Sequence, residues 1–485
     1  MHDLRRQALL ESGKTVSRKA QSREASRQTS RAGSAQNSRH TSRQSSRAAS
    51  RYPSDDEDNG NLSDDVTVCS TTSLDDLAEN PEADNSDWPE ELADRIHDIL
   101  DRKRSSVQGR EESLSAFCRL SKFHYVEEEI RAHIQDLLEA FSRSIKYETS
   151  VRESTLALKA LEFLALTAYD DTIYDNVEAL LTRTIRDSTS ITIKTAAIYC
   201  LGTCTYFGGT SDDAKMDQMT FFLDIVASDG RSIDAADDAA TVTAALQQWG
   251  FLATEIDDLE GESEEAVESF MDQLDSSDSG VQIAAGENIA LLYEKSYTPQ
   301  EDDDDQGSSE EEDDENDDGS VSSHGDGPRL IRRYTAYHNT PQLERLLSSL
   351  ATVSGKRISK RDKKSLHSNF ASILTTVENP RRGPMFSTAI DHNTNRQYGS
   401  KRQVKIGNEG VMNIDRWWKW LRLAALRRIL QGGFMEHYYQ GNRAVLNSLP
   451  VMLRESTRPA TDRLGYKKAA KFRNATRRMM MDDDD

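Results

Sequence analysis

A short block recurs through the first half of the chain, in most copies a basic or polar residue followed by small and apolar ones: Arg110–Leu114 (where two Glu intervene), Arg152–Leu156, Lys194–Ile198, Val242–Leu246 (opened by Val instead) and Gln282–Gly286. The separations are 42, 42, 48 and 40 residues. Stacked helical hairpins of the HEAT/armadillo type repeat at roughly 40–47 residues, because one such hairpin cannot bury its apolar face without a neighbour. Small residues at the recurring position let adjacent helices approach, and Leu156, Leu158, Leu161, Phe163 and Leu164 fill the space between layers. Residues 86–297 are therefore expected to form an all-α helical-hairpin solenoid, with an ordinary helical bundle as the alternative. Asp87 is placed to cap the first helix and Pro89 suits its first turn.

Charge divides the chain into blocks. Residues 1–52 carry 12 Lys/Arg against 3 Asp/Glu, residues 53–328 carry 18 against 67, and residues 329–481 carry 31 against 9. The net of −22 hides a segment of +22, which has the footprint of a polyanion-binding region. With 36% hydrophobic and 30% charged residues, part of the chain cannot bury a core.

Residues 1–85 are low in complexity and expected to be disordered. Serine recurs every fourth residue from Ser22 to Ser50, mostly followed by Arg. This produces Arg-x-x-Ser units that suit basic-directed kinases at Ser26, Ser30, Ser42, Ser46 and Ser50. Ser54 and Ser63 precede acidic runs and suit acid-directed kinases. Each phosphate adds about −1.5 to −2 charge, so a few would cancel the basic excess; a solvated, unmodified tail is the alternative.

Residues 298–328 form an acidic loop, with 13 carboxylates among the 18 residues from Glu301 to Asp318. It is either a solubilising insertion or a mask for the basic region after it. Residues 329–379 hold Leu343, Leu346, Leu347 and Leu350, which suit the last repeat. A helix with the face Leu366, Phe370, Ile373, Leu374 and Val377 follows, and Ser359 can cap it. Lys360, Arg361, Lys363 and Lys364 fall on its first turns, the end at which the helix dipole disfavours cations, so an external anion is expected there. The whole basic run from Lys356 to Lys364 resembles a nuclear-import signal.

Residues 380–410 are expected as a loop, and 411–457 as a small helical C-terminal domain. Asn413 or Asp415 would cap its first helix, which runs through Trp417, Trp418 and Trp420 to Gly432-Gly433. The tryptophans suit packing, with base stacking as the alternative. The tail, 458–485, carries Arg463, Lys467, Lys468, Lys471, Arg473, Arg477 and Arg478 before a run of four Asp. It would fold on a polyanion, each neutralised phosphate releasing a counterion.

Cys69, Cys118, Cys200 and Cys204 form no C-x-x-C pair; the i,i+4 pair in an apolar stretch suits buried thiols in a reducing compartment. Neither a secretory leader nor an apolar run of about 18 residues is present, so no membrane association is expected. The common nucleotide, zinc-protease and hydrolase motifs are missing and the ten histidines are scattered, so neither an enzyme, a metal nor a cofactor is expected.

Residues 283–294 (Ile-Ala-Ala-Gly-Glu-Asn-Ile-Ala-Leu-Leu-Tyr-Glu) resemble the end of the repeat domain in the interferon-related developmental regulator family. Ser359–Lys364 with Phe370 and Val377-Glu378 resembles that family's basic helix. Ile414–Trp417, Leu426–Gly432, His437–Asn442 and Tyr466–Arg473 resemble its C-terminal part. The resemblance covers about residues 86–480. The Ser-Arg repeat, the acidic loop, an extra tryptophan pair and the Asp482–Asp485 ending depart from the animal pattern.

The resemblance implies an armadillo-like adaptor with one of two roles. The first is ribosome binding through rRNA and ribosomal proteins, in which a basic C-terminal helix occupies mRNA and tRNA sites and silences translation. The second is nuclear co-regulation of transcription through deacetylase-containing complexes. The +22 segment favours the first role, and with it a cytoplasmic location, the nucleus being the alternative.

Overall fold

The structure is a computed structural model that describes residues 87–102, 105–168, 170–299, 330–352, 360–390, 397–400, 402–406, 410–449 and 452–453, all within one compact unit. Helices α1 (Trp88–Leu100) and α2 (Val107–Phe123) form the first hairpin. A short α3 (Glu127–Ile130) leads to the pair α4 (Ile134–Tyr147) and α5 (Val151–Ala168). The pairs α6 (Ile173–Asp187) and α7 (Ile191–Phe207), α8 (Asp212–Ala227) and α9 (Ala239–Ala253), and α10 (Glu260–Leu274) and α11 (Ser279–Lys295) follow.

In each pair the second helix packs on the second helices of the neighbouring pairs, giving an inner layer of α2, α5, α7, α9 and α11 and an outer layer of first helices. The fold is the all-α solenoid that the spacing predicts. All five recurring blocks lie in the first two turns of an inner helix. Most of these helices begin at a side-chain cap: Ser106 accepts from Gly109 N–H, Asp238 from Thr241 N–H, and Asp278 from Gly280 and Val281 N–H. Asp87 sits at the N-cap position of α1, but its side chain makes no capping hydrogen bond, and Pro89 occupies the first turn.

The two layers differ in burial for a simple reason. An outer helix faces water on one side, so α6 buries a single stripe of Ile173, Val177, Leu181 and Ile185. An inner helix is covered on both sides, so α7 and α9 are buried almost all round. Two glycines set the inner spacing. A Cβ on Gly250 of α9 would lie 2.0 Å from Asn288 Oδ1 of α11. One on Gly286 of α11 would lie 2.7 Å from Ile373 Cδ1 of the next inner helix.

Strands β1 (Tyr297–Pro299) and β2 (Leu330–Arg332) pair antiparallel and bracket the residues in which the acidic loop falls. The loop itself lies outside the described residues, as do residues 1–86 with all the candidate phosphorylation serines. Helices α12 (Thr340–Ala351) and α13 (Lys360–Glu378) form the last hairpin, and α13 joins the inner layer against α11.

The expected loop at 380–410 contains strands instead. β3 (Ser387–Ile390) pairs with β4 (Gln397–Gly399), and β5 (Arg402–Ile406), β6 (Gly410–Ile414) and β7 (Met452–Leu453) form an antiparallel sheet in the order β5-β6-β7. Each run is five residues or fewer, too short for an alternating pattern to stand out from turn-forming composition. Between β6 and β7 lie α14 (Trp417–Leu430), a 3-10 turn, α15 (Phe434–Tyr439) and α16 (Arg443–Ser448). They are not set apart as a separate body: α14 lies across the inner layer and touches α2, α5, α9 and α11.

Candidate functional site

The apolar face predicted for α13 is the face that docks, with Leu366, Phe370, Ile373 and Val377 buried. Lys360 and Arg361 stand in the first turn of α13; Lys363 is half-buried and Lys364 exposed. Ser359, the expected cap, lies outside the described residues. So do Arg463, Lys467, Lys468, Lys471, Arg473, Arg477 and Arg478. Of the expected anion-binding residues, Lys360, Arg361, Lys363 and Lys364 are therefore the ones that fall within the described residues.

The rest of the C-terminal segment is bound to the chain's own inner layer. Three carboxylates buried in the inner helices receive it. Glu294 of α11 accepts from the Trp417 N–H at 2.9 Å and from the Trp418 N–H at 3.2 Å. It thus caps α14 from a distant part of the chain. Neither Asn413 nor Asp415 does so: Arg416 stands at the N-cap position, and Asp415 accepts instead from Lys419 Nζ at 2.5 Å. Glu287, two turns before Glu294, accepts from Trp420 Nε1 at 2.9 Å. Glu162 of α5 accepts from Arg428 Nη1 at 2.6 Å and from Lys159 Nζ at 2.8 Å.

The environments of these carboxylates differ. Burial would raise Glu162, but Arg428 and Lys159 outweigh it and hold the carboxyl below its ordinary value. Burial pushes both Glu287 and Glu294 up to about 7: no cation offsets it at Glu287, and at Glu294 the pull of Arg416 is too weak to do so. An acid whose folded value is raised contributes stability that is complete below its unfolded value and is lost as pH rises through the folded one. Glu287→Gln keeps an acceptor for the Trp420 indole and removes the ionisation. It is expected to leave stability at pH 4 nearly unchanged and to raise it at pH 8 by up to about 3 kcal/mol, at 1.36 kcal/mol per pH unit. Urea unfolding at the two pH values measures the difference, and equal effects at both would refute it.

The tryptophans are packing residues. Trp417 and Trp420 are buried, and Trp417 Nε1 donates to Thr376 Oγ1 of α13 at 2.8 Å. Trp418 is half-buried with the Arg422 guanidinium 4.9 Å from its ring centre. The cations of α14 are also engaged. Arg422 donates to Thr254 Oγ1, the Thr254 carbonyl, Glu255 and the Ser448 carbonyl. The second Arg428 nitrogen donates to Thr203 Oγ1 of α7 at 3.0 Å.

At the far end, His437 of α15 donates from Nε2 to the Ser121 carbonyl of α2 and accepts at Nδ1 from Asn442. Burial depresses the ring to about 4, in keeping with this neutral tautomer. Neither the cap from Glu294 nor the Glu162 clasp is foreseeable from local pattern, since the partners are separated by 123 and 266 residues.

Cys118, Cys200 and Cys204 are buried free thiols, and burial raises Cys118 to about 12, away from the range of a reactive thiolate. Among the described residues, Glu264, Glu268 and His338 bring three ligand atoms within 4.8 Å of one another at the surface, where Glu264 accepts from the His338 backbone and pairs with its ring. Among the described residues no helix is long and apolar enough to cross a membrane.

Residues 61–378 match the family described as interferon-related developmental regulator. A similar protein, uncharacterized protein C20F10.03 of Schizosaccharomyces pombe, is 26% identical over 353 residues, which cover 72% of each chain.

Proposed function

Because this chain belongs to the interferon-related developmental regulator family, we propose that it is a non-enzymatic regulator of translation that binds the ribosome through its basic C-terminal tail. The observation that supports this reading is how the positive charge is distributed along the sequence. Arg422 and Arg428, and Lys419 with them, are already paired within the protein. Residues 454–481, which follow directly on β7, carry nine Lys/Arg against two Asp/Glu. The cluster from Lys360 to Lys364 adds four more cations at the end of the solenoid. Folded RNA is gripped mainly through shape and phosphate contacts, which a basic helix supplies without any catalytic group.

The test replaces Lys467, Lys468, Lys471, Arg473, Arg477 and Arg478 with Glu. Co-sedimentation with purified ribosomes in low salt should be lost. For the unaltered protein, six phosphate contacts imply an affinity that falls roughly 10³-fold between 50 and 200 mM salt. Unchanged co-sedimentation of the six-Glu variant would overturn the tail's role. The second reading, a nuclear scaffold that co-regulates transcription through deacetylase-containing complexes, draws on the resemblance of the Lys356–Lys364 cluster to an import signal. A tagged protein confined to the nucleus and absent from polysome fractions would replace the first reading with this one.

A further inference from the structure

The inner face of the solenoid is filled by α14, so what it presents to partners is largely its outer face, and that face is unevenly charged. Residues 208–281, which hold α8, α9 and α10, carry 19 Asp/Glu against two Lys/Arg. Both cations are matched locally: Lys215 is buried beside Asp212 and Glu255, and Arg231 lies 3.6 Å from Asp237. The neighbouring outer helices α8 and α10 leave Asp217, Asp224, Glu260, Glu265, Glu268 and Asp272 exposed. Carboxylates gathered on neighbouring helices repel one another until cations offset them.

The chain's own tail starts within reach of this face. One guanidinium, that of Arg422, donates both to the Ser448 carbonyl and to Glu255, so α16 ends next to the segment that leads into α10. Residue 453 is five positions further on, and 32 residues follow it. At roughly 3.3–3.6 Å per extended residue, Lys467 can reach at most about 50 Å from Leu453. The 15 residues of α10 span only about 22 Å at 1.5 Å each. We propose that, when no RNA is bound, residues 454–481 lie on the acidic outer face of α8 and α10, so that RNA must displace the chain's own carboxylates to bind. This rests on the reading of the tail as the RNA-binding element and adds its regulation.

The full chain alone, treated in low salt with a zero-length carbodiimide that joins Lys to Asp or Glu, tests this. Lys467, Lys468 and Lys471 should link within one molecule to Glu260, Glu265, Glu268 or Asp272. The links should fade at 0.5 M salt, where screening acts within a few ångströms. They should also fall several-fold in the Glu260→Gln, Glu265→Gln, Glu268→Gln, Asp272→Asn variant, whose changes are at exposed or surface positions. Links confined to residues 301–318, or found only between light and heavy copies in an isotopically mixed sample, would overturn the proposal. So would the absence of links in a protein that still sediments with ribosomes, and that outcome would leave the RNA reading intact.

Discussion

Replacing Glu162 with Ala should cost about 3–5 kcal/mol of stability. Removing one partner of a buried ion pair leaves the others as uncompensated buried charges. Two cations depend on this carboxylate: Lys159, whose ammonium burial already pushes below its ordinary value, and Arg428, whose guanidinium lies 4.2 Å from the Tyr199 ring centre. The carboxylate side chain is only 3% exposed, so water cannot take over. Arg143→Ala is the contrast. It breaks the pair with Glu139 on the outside of α4, where both partners are more than half exposed, and should cost less than about 1 kcal/mol.

Urea unfolding at pH 7 measures both variants. A loss below 1 kcal/mol for Glu162→Ala would mean that the clasp adds little. The sign of the pH effect is fixed as well. Because Glu162 is held below its ordinary value, its contribution is present above the unfolded value and is lost as pH falls through the folded one.

The second large effect concerns truncation. A chain ending at Glu378, where the family match ends, should fail to give a cooperatively folded protein. It would lack α14, which buries Trp417, Trp420, Leu421, Leu423, Leu426, Ile429 and Leu430 against the inner layer. At about 1.5–3 kcal/mol for each buried apolar side chain, these seven correspond to roughly 10–20 kcal/mol of gross burial. That exceeds the net stability of most domains, about 5–15 kcal/mol. The inner helices would also expose a continuous apolar face. The truncated chain should bind a hydrophobic dye and aggregate. A monomeric product with a sharp thermal transition near that of the full chain would refute this.

Most of the solenoid is legible from sequence because repetition is a long-range signal carried in local form. Lys194, Val242 and Gln282 each stand in the first turn of an inner helix, and the Leu366–Val377 stripe identifies the face of α13 that docks. The site is less legible because its contacts link residues far apart. The pattern around Trp417 suggests a cap from Asn413 or Asp415, the only polar candidates within reach along the chain. The group that fills the role comes from α11. Likewise the charge of α14 counts toward a +22 segment, yet Arg422 and Arg428 are taken up by Glu255 and Glu162. A charge sum cannot separate cations that hold the fold from those left for a ligand.

In an ordinary solenoid each repeat leans only on the next, so the array stretches and unravels one unit at a time. Here the segment from Trp417 to Asn442 is bonded to Thr376, Glu294, Glu287, Thr203, Glu162 and Ser121. It acts as a brace nailed to every rung of a ladder. Under tension such a molecule should give way at a single high force, not in a sawtooth of small steps, and its curvature should hardly change when a partner pulls on one end.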